Sequence, residues 1–348
     1  MLSPQIKEKI SLAVIRVLLS RFSSFPEDSL RNRNAPFHEA FLNAFSDELN
    51  GKIPDIPYFI SLSSWLHGLS TSLGQSFFEN VAHTLSNGSK RTFTNTSSIK
   101  LLITAKQSDA ITKIITELRN GTEKPSLPRE HNLLVKASKD GELITSSQFT
   151  ADVFIKTDTE IIAVELKTVK PNAGIMSGEK QKMLQAKAVL LLMFPGYKVN
   201  FYMGFPFDPN SQTPTGYDKE NFLKTIVDGE KYFAKDEILL AGELWEFLSG
   251  EKGAMQEILD IINVIATPEF MSSYHFLNTP ENRKQEYQKY KNLLQKWFLF
   301  SELELLDNIV EIERKATGRN KIYYNNSMFY AGGTYSWNRY HNLIKLIS

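Results

Sequence analysis

Three residues whose types and spacing could do chemistry stand in one apolar segment, TADVFIKTDTEIIAVELKTVKP (Thr150 to Pro171): Asp152, Glu165 and Lys167. The segment reads as a buried β-hairpin, where charges are costly unless something compensates them. Strand side chains alternate, so Val153, Ile155, Ile162, Val164 and Leu166 share one face. Asp152, Phe154, Ile161, Ala163, Glu165 and Lys167 share the other. With Asp158 and Thr159 as the two turn residues, Asp152 lies directly opposite Glu165. That register is an assumption, because Asp-Thr is not a favoured two-residue turn and a longer loop would shift it.

Like charges directly opposite in a sheet repel. At ~4 Å and an effective dielectric of ~20 the repulsion is on the order of 4 kcal/mol. Lys167 relieves part of it, and a divalent cation held by both carboxylates relieves more. Mg²⁺ characteristically takes one or two carboxylates, phosphate oxygens and water, which would set Lys167 against a phosphate or the water attacking it. The competing reading is a solvated, salt-bridged strand edge. The chain carries its own control in Glu313-Arg314-Lys315, a second Glu-x-Lys. It falls in a charged helical stretch, where positions i and i+2 do not face each other, so those two charges cannot converge.

The elements that must position these residues follow from periodicity. Ser3 and Pro4 suit a helix cap and first turn, and apolar residues recur at Ile10, Val14, Val17 and Leu18. Helical patterns return at Pro36 to Leu49, about Ser64 to Leu85, and Gln107 to Leu118. From Leu143 the period changes to two: a strand at Leu143 to Ser146, the hairpin, a helix from Ser177 to Phe194, and a strand at Lys198 to Phe205. Pro195 and Gly196 part those last two elements. A long Pro/Gly/Asn/Ser-rich loop follows, FPFDPNSQTPTGYD, and then helices through Asp236 to Ala266 and Pro280 to Lys315. The order implies an α/β (α+β) core, a mixed sheet flanked by helices, with helical regions at both ends. We expect a mainly helical region over 1–120 lending a helix to the core, a core over 121–235, and a helical region over 236–348 with an aromatic, basic tail.

Composition narrows the chemistry. The 348 residues are 42% hydrophobic and 23% charged, with a net charge of +1 that neither supports nor excludes a nucleic-acid partner. There is no cysteine, so disulfides, thiolate zinc sites, iron–sulfur clusters and thiol nucleophiles drop out together. Any metal must be held by oxygen or imidazole, and the six histidines have no metal-ligand spacing. His341-Asn342 hints at an HNH nuclease, but too little chain follows to complete that motif. No GxxxxGK[ST] loop argues for ATP-driven chemistry. No apolar run approaches the roughly 20 residues of a membrane span, and the first residues read as a mature helix rather than a signal peptide. A cytoplasmic protein is expected.

The hairpin, with the helix and strand after it, resembles the PD-(D/E)xK nuclease superfamily, Asp152 matching its aspartate and Glu165-Leu166-Lys167 its ExK element. Ala151 replaces the usual proline. More narrowly, PFHEAFL, SLGQSFFENVA, ADVFI with AVELKT, and GEKQKMLQAKAVLLL are similar to segments of TdeIII-type restriction endonucleases, over about Pro36 to Phe205. The resemblance implies a type II restriction endonuclease that hydrolyses double-stranded DNA with Mg²⁺, one or two ions per site, at a short palindrome of the GGNCC kind; for the two-fold symmetry of such a site a homodimer is the simplest assembly. It implies Asp152, Glu165 and the Leu166 carbonyl as metal ligands, with Lys167 orienting or deprotonating the attacking water. It suggests a further acidic residue from an earlier helix, for which Glu79 is our choice and Glu142 the competitor. It also suggests polar residues of the helix after the hairpin, Gln181 and Gln185, near the active site or the DNA backbone. Lys180, Lys182 and Lys187 read either as phosphate contacts or as a solvated face. The tail with Arg319, Lys321, Arg339 and Lys345, and the loop at Pro206 to Asp218, are candidates for base reading. Rival functions are a structure-specific repair nuclease on the same core, and a non-catalytic DNA-binding protein whose acidic cluster is only structural.

Overall fold

The computed structural model describes residues 1–26, 35–168 and 175–347. The last residues of the segment read as a hairpin, beyond Thr168, lie outside the described residues. Seven strands are present among those described: β1 (Ser89–Phe93), β2 (Leu102–Thr104), β3 (Leu143–Thr145), β4 (Phe149–Lys156), β5 (Glu160–Leu166), β6 (Lys198–Phe205) and β7 (Ile238–Leu240). Five form a mixed sheet in the order β1-β4-β5-β6-β7, while β2 and β3 pair separately. β1 and β5 run antiparallel to β4, whereas β5, β6 and β7 are parallel.

The β4–β5 hairpin has the expected register, with Val153 opposite Val164 and Lys156 opposite Ile161. Its unfavoured Asp158-Thr159 turn is held by Thr157. The Thr157 amide donates to the Glu160 carbonyl at 2.9 Å, and the Thr157 hydroxyl accepts from the Glu160 amide at 3.0 Å. Val153 and Val164 on one face, and Ile161 and Ala163 on the other, are fully buried. The hairpin is therefore central, and β1 lies at the sheet edge beyond β4.

Helix Ile175–Met193 packs on β6 and on helix Ala105–Asn120. The latter starts at a capping box, Thr104 with Gln107. Helix Phe78–Ser86 packs on β4 and on helix Gly242–Ser249. At β6, a Cβ added to Gly204 would come within 2.9 Å of Val164 and 3.1 Å of Leu244, so only glycine lets sheet and helix approach this closely. The Gly204 carbonyl accepts from the Lys167 amide at 2.8 Å, which continues the parallel pairing past the end of β5.

Several local expectations change. β1, β2 and helix Leu127–Ala137 were not anticipated. The helical pattern expected from Ser64 starts earlier, as Ile56–Ser72 capped by Asp55, and reaches helix Phe78–Ser86 through a π-helical turn, Leu73–Phe77. The stretch from Asp236 starts inside a 3-10 turn, Lys235–Glu237, and runs through β7 before helices Gly242–Ser249 and Ala254–Ile265. The helices expected over Pro280 to Lys315 are short, Asn282–Gln285, Tyr287–Lys296, Phe300–Asp307 and Ile309–Lys315, the last of these around the second Glu-x-Lys.

Two compact units emerge: Met1–Leu2 with Phe78–Glu257, and Ser3–Phe77 with Ile258–Ser348. The first contains the whole sheet. In the second, the N-terminal helix Pro4–Phe22 joins the C-terminal helices, and buried Glu8 accepts from the Ser301 amide and hydroxyl at 2.8 and 2.7 Å. The N-terminal helix and the C-terminal helices thus share one core. Arg339 belongs to that core: it is buried, and its guanidinium donates to Glu302 at 2.6 Å, where the Tyr335 hydroxyl also donates. It cannot read bases from there, whereas Arg319, Lys321 and Lys345 are exposed.

Candidate active site

The geometry at Asp152 begins with a fault in the sheet. Ser89 pairs with Phe154 and Arg91 with Ala151. Two residues of β4, Asp152 and Val153, therefore stand opposite the single residue Lys90, which is a β-bulge. Bulges leave a backbone group out of the ladder and re-aim side chains, and they recur beside active sites. Here the freed Asp152 carbonyl is met by His83 Nε2 at 2.6 Å. A carbonyl can only accept, so Nε2 carries the proton.

On its other flank Asp152 meets the end of β5. The Leu166 amide donates to Asp152 Oδ2 at 2.9 Å. Asp152 Oδ1 lies 3.3 Å from Lys90 Nζ, which also donates to both carboxylate oxygens of Glu79 at 2.9 and 3.1 Å. Lys90 is held above the ordinary lysine range, first by its hydrogen bond to Glu79 and then, against some desolvation, by Asp152. Glu165 Oε1 accepts from Lys167 Nζ at 3.0 Å, and Lys167 also lies 3.4 Å from Glu179 Oε2.

Burial pushes the Glu165 carboxyl up; Lys167 works against this and the Asp152 charge adds to it. For Lys167, burial alone would lower the pKa, but the Glu165 and Glu179 carboxylates outweigh it and the net shift is upward. Lys167 is thus held as an ammonium.

Asp152, Glu165, Lys90, Glu179, Lys182 and Gln185 line a common cleft of about 610 Å³, along with Thr92, Ser147, Gln148 and Thr150. Glu79 and Lys167 do not line it, but each is ion-paired to residues that do. Of the two glutamines, Gln185 reaches the cleft while Gln181 is exposed and does not line it. Glu142 is exposed beside β3, outside the five-stranded sheet, and does not line the cleft either.

Two further lysines are corrected. Lys180 is fully buried between Glu130, at 2.5 Å, and Glu237; Lys187 is buried nearby. Neither is a phosphate contact nor part of a solvated face. Lys182 is the exposed member of the three, pairing with Glu179 at 3.3 Å.

Sequence reasoning missed Lys90 and Glu179. Glu179 carried a weak signal, since Glu179, Lys182 and Gln185 step along the helix at three-residue spacing. Lys90 carried none, because its strand is a polar edge strand with four of its five residues exposed.

The donor set suits a hard cation. Among the described residues no three His, Asp or Glu side chains converge to hold an ion by themselves. Any ion would be shared between two carboxylates and oxygens from backbone, water or phosphate, as Mg²⁺ binding usually is. Glu165, desolvated and facing a second carboxylate, is the sort of group that such a cation relieves.

Comparison with known proteins agrees with this core. A family model, Type II restriction endonuclease, HinfI, matches residues 2–266. The chain is 42% identical over 366 aligned residues to Type II restriction enzyme MjaII of Methanocaldococcus jannaschii, covering 99% of this chain and 98% of that protein. With the mixed sheet and its hairpin, these matches define a type II restriction endonuclease of the PD-(D/E)xK type, a site-specific deoxyribonuclease. Within that class, the chain belongs to the HinfI family. The family matched is thus of HinfI type, whereas the finer likeness drawn from short segments was to TdeIII-type enzymes.

Proposed function

We propose that the enzyme hydrolyses phosphodiester bonds of double-stranded DNA with Mg²⁺ at a short palindrome, of the GGNCC kind that the sequence resemblance implies. Asp152, Glu165 and the Leu166 carbonyl would hold the ion, with Glu79 as a further acidic neighbour and Gln185 contacting the substrate or the backbone beside it. The observation that carries this reading is the meeting of Asp152, Glu165 and Lys167 at one end of the β4–β5 hairpin, with both carboxylates open to a cleft.

When bound, Mg²⁺ supplies Lewis acidity and lowers the pKa of a water. The chain supplies the rest. Lys167, paired with the Glu165 and Glu179 carboxylates, orients or deprotonates the attacking water and stabilises charge growing on the phosphate. The Leu166 amide fixes the rotamer of Asp152, and the Gly204 carbonyl fixes the backbone of Lys167. A two-fold symmetric site cut on both strands is met most simply by a homodimer. Among the described residues no helix is long and apolar enough to cross a membrane, and we place the enzyme with its DNA in the cytoplasm.

The test is digestion of phage DNA in Mg²⁺ or EDTA, followed by sequencing of fragment ends. Discrete Mg²⁺-dependent ends at one short palindrome support the reading. Cutting by Asp152→Asn at the wild-type rate would remove the site assignment, and cleavage confined to branched substrates would favour a repair nuclease.

A further inference from the structure

Lys90 Nζ stands where the carboxylates of Glu79 and Asp152 converge, within 3.3 Å of three of their oxygens. We propose that Lys90 is an internal counter-cation at the edge of the metal site, shared between Glu79 and Asp152 and displaced from Asp152 when a divalent ion binds there. The inference rests on the reading that Asp152 binds the ion.

The asymmetry of the cluster says which partner moves. The Glu79 and Asp152 side chains are 17% and 14% exposed, and that of Lys90 is 48% exposed. Asp152 is pinned by the Leu166 amide and, through its carbonyl, by His83. Lys90 is tethered only by a flexible four-carbon stem on an edge strand, with solvent to withdraw into. The β-bulge sets this one lysine opposite Asp152 and Val153, so its aim comes from the sheet itself.

The physical need is plain. Two mostly buried carboxylates pointing at one spot repel, and an ammonium between them offsets that repulsion and holds them in place. Oxygen Oδ2 of Asp152 is already committed to the Leu166 amide. Oδ1, the atom Lys90 faces, is the Asp152 oxygen without a backbone donor and so the one more open to an ion. An ion bound there would compete with the ammonium, and its affinity would be reduced accordingly. The same competition would disfavour weakly held monovalent ions.

The experiment is calorimetric titration of CaCl₂ into the full chain without DNA, using wild type, Lys90→Met, Lys90→Gln, Glu79→Gln, and Lys90→Met with Glu79→Gln. Far-UV circular dichroism reports folding of each. Charge-assisted hydrogen bonds of the size lost here predict Ca²⁺ binding on the order of 10- to 100-fold tighter in Lys90→Met. Lys90→Gln, which keeps a donor without the charge, should move the same way and serves if Lys90→Met does not fold. Measured between Glu79→Gln alone and the double variant, the gain should shrink to less than about threefold, because in Glu79→Gln only one carboxylate draws the Lys90 ammonium. Melting in EDTA should show both Lys90 single variants less stable than wild type, with a larger rise on adding Ca²⁺. Equal or weaker Ca²⁺ binding by the folded Lys90 single variants overturns the proposal while leaving the metal reading intact, as does a gain undiminished by Glu79→Gln. Absence of Ca²⁺ binding in every protein overturns both.

Discussion

Replacing Lys187 with Met gives a test in which structure and sequence pattern predict opposite results. The side chain is buried in helix Ile175–Met193, and its pKa is lowered from the ordinary 10.5 to about 8. Desolvation is the main cause; Glu237 resists it and Lys180 reinforces it. Because the depressed pKa belongs to the folded state, the folded chain binds fewer protons than the unfolded chain between about pH 8 and 10.5. Stability therefore rises with pH across that window, and the penalty is fully present below it. At about 1.36 kcal/mol per pH unit, the depression corresponds to on the order of 3 kcal/mol at pH 7. Met keeps the unbranched shape without the charge, so Lys187→Met should be more stable than wild type by about 2–3 kcal/mol at pH 7. Urea unfolding of both proteins at a series of pH values measures the difference, which should fall toward zero as the pH approaches that of a free lysine. A variant less stable than wild type at pH 7, or a difference that ignores pH, refutes the reasoning. Lost DNA affinity at unchanged stability would restore Lys187 as a phosphate contact.

Other variants probe other links in the structure. Lys167→Met should cut DNA at least about 100-fold more slowly while a gel shift in Ca²⁺ shows DNA binding within a few-fold of wild type; undiminished cutting would count against its role. Glu302→Gln leaves Arg339 buried beside a neutral amide and should cost about 3–5 kcal/mol in chemical unfolding. Gly204→Ala overpacks β6 against Val164 and Leu244, which should cost about 1–3 kcal/mol and slow cleavage by shifting the Lys167 backbone. Thr157→Val removes the hydroxyl that ties the hairpin turn and should cost about 1 kcal/mol, with Asp152 and Glu165 still aligned.

What could be read from the chain follows how local each interaction is. The β4–β5 register was legible because both strands are apolar on two faces and the turn between them is short; Thr157 made an unfavoured turn work. The helix and strand after the hairpin were legible for the same reason, a clear change of period on either side of Pro195-Gly196. Lys90 was hidden because SKRTF has no alternation to read, and its alliance with Asp152 depends on strand pairing across sixty residues of sequence. Lys180 looked like a surface cation because its partners, Glu130 and Glu237, come from segments on either side of the hairpin and the helix. β7, only three residues long, offered too little pattern to separate from a helix start. Arg339 kept company with aromatics and asparagines that suit a nucleic-acid surface, and only long-range burial against Glu302 shows it to be interior.

The order in which the two compact units use the chain bears on how the enzyme assembles during translation. All of Phe78–Glu257 leaves the ribosome before Ile258, so the sheet and its acidic cleft can close while synthesis continues. Ser3–Phe77, made earlier, must wait for the last ninety or so residues before Glu8 can meet Ser301. A chain cut short after Glu257 would thus hold every strand of the sheet but leave the N-terminal helix without its C-terminal partners, its apolar side open to chaperones and to aggregation.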